Sequence, residues 1–204
     1  MLEALTGTGL AASAGLNAYI PLLVLGILGR YSDLVDLPAH WQWLSNGWVI
    51  TVLAALLAIE VVADKVPVVD HINDVVQTVV RPTSGGLVFG AGAGTQSVTA
   101  SDPGRLFASD EWIPVVIGML IALGVHVLKA LIRPLVNTAT AGIATPLISA
   151  TEDAASVIMS MVALLLPVLV LLFLAGSILA TGWLVRRRRI SNRERRAERA
   201  AGFH

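Results

Sequence analysis

The chain has 204 residues, 55% of them apolar and only 14% charged, and its 14 basic and 14 acidic residues cancel to a formal net charge of zero. Soluble domains carry about a quarter charged residues, so this balance, with a mean hydropathy of +0.77, excludes an ordinary water-soluble domain and makes a lipid bilayer the expected surroundings. Cysteine is absent, which removes disulfides, thiolate metal sites and cysteine nucleophiles and leaves the redox compartment unread.

In chain order, the opening "MLEALTGTGL" has no basic n-region and an early Glu3, so it reads as a retained segment and not a cleaved signal. The first apolar stretch, Leu5 to Leu28, holds no charge and is long enough to span. Within it Asn17, in "AGLNAYIPLL", is a lone amide that would bond across helices or line a path. The loop from Tyr31 to Gly47 has acids, His40 and aromatics but no Lys or Arg, as an outside loop should. Trp41, Trp43, Trp48, Trp112 and Trp183 fit interfacial belts.

A second span is expected from Trp48 to Ala63, and it carries Glu60. The polar stretch "EVVADKVPVVDHINDVVQTVVRP" follows, with Asp64, Lys65, Asp70, His71, Asp74 and Arg81. Val68/Val69, Ile72, Val75/Val76 and Val79/Val80 recur at helical spacing, with Pro67 suited to the first turn and Pro82 expected to end the helix. This amphipathic helix would lie on the cytoplasmic surface or form half of a re-entrant hairpin continued by "SGGLVFGAGAG". "GAGAG" lacks the strand–turn–helix context of a dinucleotide fingerprint. "SVTASDPGRLFASD" reads as a polar loop turned at Pro103-Gly104.

The third span, Trp112 to Ala130, aligns with the second at an offset of 64 residues: Trp48 meets Trp112, Leu56 meets Leu120, and Lys65 meets Lys129, the only two lysines of the chain. With four spans these two run antiparallel, an inverted repeat of the kind that builds secondary transporters around a site at the repeat interface. A duplication kept for packing alone is the plainer alternative. Ala122, His126, Lys129 and Arg133 form one helical stripe. After Arg133-Pro134 comes Asn137, and Val136 to Ser149 has the length of a re-entrant hairpin broken at Gly142 and Pro146. Ser149, Glu152 or Asp153, Ser156 and Ser160 make a second stripe whose acids would face the basic one. The fourth span is expected from Met161 to Val185, and eight of the fourteen basic residues are arginines after Trp183. Directly after a span, such a run anchors the C-terminus in the cytoplasm; phosphate binding by a basic tail is the other reading, and no nucleic-acid partner is expected.

Ionisable groups inside a membrane mark paths or sites, or they are buried ion pairs that fix helix register. His71 and His126 with nearby acids offer metal-type ligands without the spacing of a known zinc motif, so a protonation role is preferred to a metal. Glu60, Asp64, Glu152 and Asp153 invite an acid/base reading, but no activated nucleophile accompanies them. No cofactor is expected.

"AGLNAYIPLL", "ADKVPVVDHINDVVQTVVRP", "HVLKALIRPLVNTATAGI" and "PLISATEDAAS" together resemble the bacterial inner-membrane proteins grouped as domain of unknown function 4126, from about Gly15 to Pro167. The resemblance implies a small polytopic helical membrane protein with Asn17, Asp64, Lys65, Asp70, Asn73, Arg81, His126, Lys129, Arg133, Asn137, Glu152 and Asp153 as signature positions. It implies no substrate or reaction. The resulting expectation is an all-α membrane domain over residues 1–185, with repeat halves at about 1–82 and 83–185, and a flexible basic tail over 186–204. Its function would be that of a homo-oligomeric transporter or channel for an ion or small polar or anionic solute, with a scaffold subunit or a lipid-acting enzyme as alternatives.

Overall fold

The computed structural model of the chain describes residues 2–64, 67–92, 112–140, 145–172 and 175–176; at 67–72, 74 and 134–139 it describes the backbone alone. Among these residues the structure is all-helical: α1 (Leu2–Leu16), α2 (Ile20–Tyr31), a 3-10 helix (Ala39–Ser45), α3 (Gly47–Ala63), α4 (Pro67–Gly92), α5 (Trp112–Thr140) and α6 (Thr145–Leu165). Residues Met1–Val170 form one compact unit. Leu171–His204 form another, in which 171–172 and 175–176 are helical.

The N-terminal helix is the centre of the first unit. From Gly7 to Gly15, α1 buries every residue except Thr8, and α4, α5 and α6 pack around it. Its composition of Gly, Ala and Ser explains this position, because small residues let three neighbouring backbones approach at once. A Cβ at Gly9 would lie 2.6 Å from that of Ala163 on α6, and one at Gly15 would lie 2.6 Å from the Ala122 carbonyl on α5.

The expected first span, Leu5 to Leu28, is two helices. α1 stops at Leu16 and α2 starts at Ile20, and Pro21 in the first turn of α2 is the cause. A proline has no N–H, and its ring collides with the carbonyl four residues earlier, here that of Asn17. Asn17 then caps the new start, its Oδ1 accepting the N–H groups of Tyr19 at 3.0 Å and Ile20 at 3.2 Å.

Other expected boundaries also move. α4 does not end at Pro82: it runs on as one helix to Gly92, so the glycine-rich segment up to that residue is helical and not the second arm of a hairpin. α5 continues ten residues past Ala130, and α6 begins sixteen residues before Met161 and stops at Leu165, ahead of Pro167. The described parts of the expected hairpin over Val136 to Ser149 therefore belong to two long helices, and residues 141–144 lie outside the described residues. The polar loop before α5 lies outside them as well.

The distribution of polarity is inverted relative to a soluble bundle. Trp48, Val52, Ile59 and Val62 on α3, Val75 and Val79 on α4, Leu120 and Leu131 on α5, and Leu147 and Ile158 on α6 are exposed. Glu60, Gln77, Arg81, Ser84, His126, Lys129, Arg133, Ser149, Ser156 and Ser160 are buried. A chain surrounded by hydrocarbon must present this arrangement. α5 from Trp112 to Arg133 and α6 are each long and apolar enough to cross a membrane, and the 3-10 helix with α3, bent by 58°, makes a third candidate.

Candidate functional site: a charged cluster at a broken helix

Where α1 and α2 separate, backbone carbonyls lose their helical partners, and groups lost in this way inside a bundle need donors from elsewhere. Side chains from two other helices supply them. Arg81 Nη1 on α4 reaches the Gly15 carbonyl at 3.4 Å, Lys129 Nζ on α5 donates to the Leu16 carbonyl at 3.2 Å, and the Ser84 hydroxyl donates to the Ala18 carbonyl. Two cations thus face the C-terminal end of α1, the negative pole of its dipole. On α6, Asp153 accepts from Asn17 Nδ2 at 2.9 Å, so the residue that caps α2 is also held by a carboxylate.

The cations are neutralised by acids from α3 and α6. Arg81 Nη2 donates to Glu60 Oε1 at 3.0 Å, with both side chains fully enclosed. Lys129 Nζ lies 2.9 Å from Glu152 Oε2. Arg133 is divided, 3.4 Å from Glu152 and 3.7 Å from Asp64, which closes the end of α3. Asp64 also accepts from Asn73 at 2.7 Å. His126 sits between Arg81 Nη1, 3.3 Å from its Nδ1, and Thr78 Oγ1, 3.1 Å from its Nε2. A guanidinium only donates, so Nδ1 is the accepting nitrogen and the ring hydrogen lies on Nε2.

The two stripes read from α5 and α6 meet as expected. Ala122, His126, Lys129 and Arg133 are all buried, as are Ser149, Ser156 and Ser160. Glu152 joins the basic stripe, whereas Asp153 turns to Asn17. Below the cluster, Ser13 on α1 bonds the hydroxyls of Ser156 and Ser160, each at 2.7 Å. The site thus assembles Asn17, Glu60, Asp64, Arg81, His126, Lys129, Arg133, Glu152 and Asp153. The side chains of Lys65, Asp70, His71, Asp74 and Asn137 lie outside the described residues. No group of three or more metal-type ligands occurs among the described residues.

Sequence reasoning placed Gln77 on the polar face of α4 but did not assign Tyr19, Thr78 and Ser84, or the freed carbonyls of Gly15, Leu16 and Ala18, to the site. The signal was present: Asn17 four residues before Pro21 marks a helix that must break and be capped again. Gln77 and Arg81 are one turn apart on α4, and both lie near Tyr19. Glu60 Oε2, Gln77 Oε1 and Arg81 Nε are among the deeply buried polar atoms with no hydrogen-bond partner among the described residues. At the far end of α1 a pocket of about 410 Å³ is lined by Glu3, Thr6, Asp36 and apolar residues of α2, the loop after it, α4 and α6.

Fold and site together define an all-helical protein with membrane-length apolar helices and an ionisable core. The chain belongs to the family described as domain of unknown function (DUF4126), whose model matches residues 4–187. No curated protein and no solved structure matches it.

Proposed function

We propose that this protein is a small membrane transporter or channel for an ion or small polar solute, with its path at the α1–α2 break. The observation that carries the reading is the meeting of freed carbonyls at Gly15, Leu16 and Ala18 with ionisable side chains from four other helices. Interrupted helices with ionisable groups at their ends are how many transporters bind charged solutes at membrane depth. Lys129, Arg81 and Arg133 serve as anion or gate contacts, and Glu60, Asp64, Glu152 and Asp153 as cation or proton sites. Arg133, at 3.4 Å from Glu152 and 3.7 Å from Asp64, links the acids of α6 and of the α3 end. In this reading the protein lies in a bacterial inner membrane with its arginine tail cytoplasmic, the second and third spans descend from an inverted repeat, and copies associate to enclose the path.

The test is flux in liposomes that contain the purified protein alone, followed with proton-, potassium- and chloride-sensitive dyes. Flux above that of protein-free vesicles, lost in Lys129→Gln and kept in Glu3→Gln, supports the reading; no flux from a folded protein with any of the three overturns it for these ions.

One observation favours a second reading, a non-transporting scaffold subunit: Arg81, Lys129 and Arg133 each have a carboxylate within 4 Å, as a purely structural network requires. The double exchange Lys129→Glu with Glu152→Lys separates the two. A scaffold regains its full stability and function in the exchanged protein, whereas a path regains stability without flux.

A further inference from the structure

Resting on the path reading, the geometry points to Glu60 as the proton-binding group of the cluster, in place of His126. Glu60 is 2% exposed. One of its oxygens is held by Arg81 at 3.0 Å, while the other, Oε2, has no donor among the described residues. A buried carboxylate oxygen without a donor is costly unless a proton or a water reaches it. A proton on Glu60 Oε2 removes the buried charge and leaves the Arg81 bond to Oε1 in place.

His126 is the less suitable site. Its Nδ1 faces Arg81 Nη1 at 3.3 Å, and a second hydrogen there would set two cations against each other. The groups that face Glu60 are Asp64 at the end of its own helix, Arg81 on α4, Lys129 on α5 and Tyr19 at the break; His126 is joined through Arg81 and Glu152 through Lys129. On α4, Asp70, His71 and Asp74 precede Gln77. A metal cation would need several oxygens around it and would sit beside the Arg81 guanidinium, whereas a proton needs one oxygen. In the binding step a hydronium gives its proton to Oε2, an O–H bond forms, the carboxylate charge disappears, and water is released. The Arg81–Glu60 pair then becomes a hydrogen bond between a cation and a neutral acid, which holds Arg81 less firmly and leaves it to the Gly15 carbonyl.

The experiment is an infrared pH titration of the purified full-length protein, following the protonated-carboxyl stretch. The expected result is a titrating band that disappears in Glu60→Gln and persists in Asp64→Asn, Glu152→Gln and Asp153→Asn. Should Glu60→Gln fail to fold, Glu60→Asp decides: the shorter acid withdraws from Arg81, so the band persists with a moved midpoint, and an unmoved midpoint overturns the assignment. Absence of any titrating band, or a band indifferent to Glu60→Gln, overturns it as well. A titrating Glu60 band in a protein without flux keeps the proton site and removes the transport reading; flux without the band does the reverse.

Discussion

Asn17 does two things with one side chain: its oxygen caps α2 and its amide holds Asp153. Replacing a capping Asn by Ala costs about 0.5–2 kcal/mol, and here Asp153 loses its partner too. Asn17→Ala is therefore expected to lower the thermal midpoint of the detergent-solubilised protein and to raise the water accessibility of the break, read by amide hydrogen exchange at Tyr19 and Ile20. Lys129→Gln removes one member of a buried pair and the donor to the Leu16 carbonyl. Breaking a fully buried pair costs about 3–5 kcal/mol; Glu152 is partly exposed and keeps Arg133 at 3.4 Å, which puts the cost here toward the lower end of that range. A larger loss of stability than in Asn17→Ala is the expected outcome of the same unfolding measurement. The ionisable residues themselves were legible in the sequence, since Arg81, His126, Lys129, Arg133, Glu152 and Asp153 stand out from an apolar chain. Their partners were not: Glu60 to Arg81 spans 21 residues and Asn17 to Asp153 spans 136, and no periodicity reports contacts between helices.

At the scale of elements, the sequence signals that failed were those a single helix does not decide. Pro82 reads as a terminator because proline breaks an isolated helix; packing against α1 and α5 holds α4 helical through it. Pro21 works the other way: it stands inside an apolar run of spanning length, yet it splits that run. The glycines at the α4–α5 crossing show how close the packing is. A Cβ on Gly118 would meet the Gly85 carbonyl and Phe89, and one on Gly85 would meet Ala122. Gly118→Ala is expected to destabilise by about 1–3 kcal/mol through overpacking. Gly124, on the same helix with nothing within 4 Å of its Cβ position, gives the contrast. Gly124→Ala should stabilise by about 0.5–1 kcal/mol, the ordinary helix preference for alanine. Paired thermal unfolding of the two variants checks both signs.

For the whole molecule, composition already dictated the class. A chain 55% apolar and 14% charged whose described residues include the buried cations Arg81, Lys129 and Arg133 turns its apolar side chains outward and these charges inward. The burial pattern on α3 to α6 is that arrangement. Connectivity was harder to read, because α4 combines Asp70, Asp74 and Arg81 with the length of a span, about 39 Å for 26 residues at 1.5 Å each. The proposed topology places the segment before α5 and the arginine tail on the same side. Single cysteines at Ser97 and Ser191 are expected to resist an impermeant maleimide in intact cells and to react after lysis.

The central claim is that ions and water reach the α1–α2 break, and the cysteine-free chain permits a direct measurement at Ser84, whose hydroxyl bonds the Ala18 carbonyl there. With Ser84→Cys in liposomes, a charged water-soluble thiosulfonate is expected to modify the residue and to stop flux. A Ser84→Cys protein that is folded, conducts, and stays unmodified until it is denatured would place the path elsewhere and contradict the account.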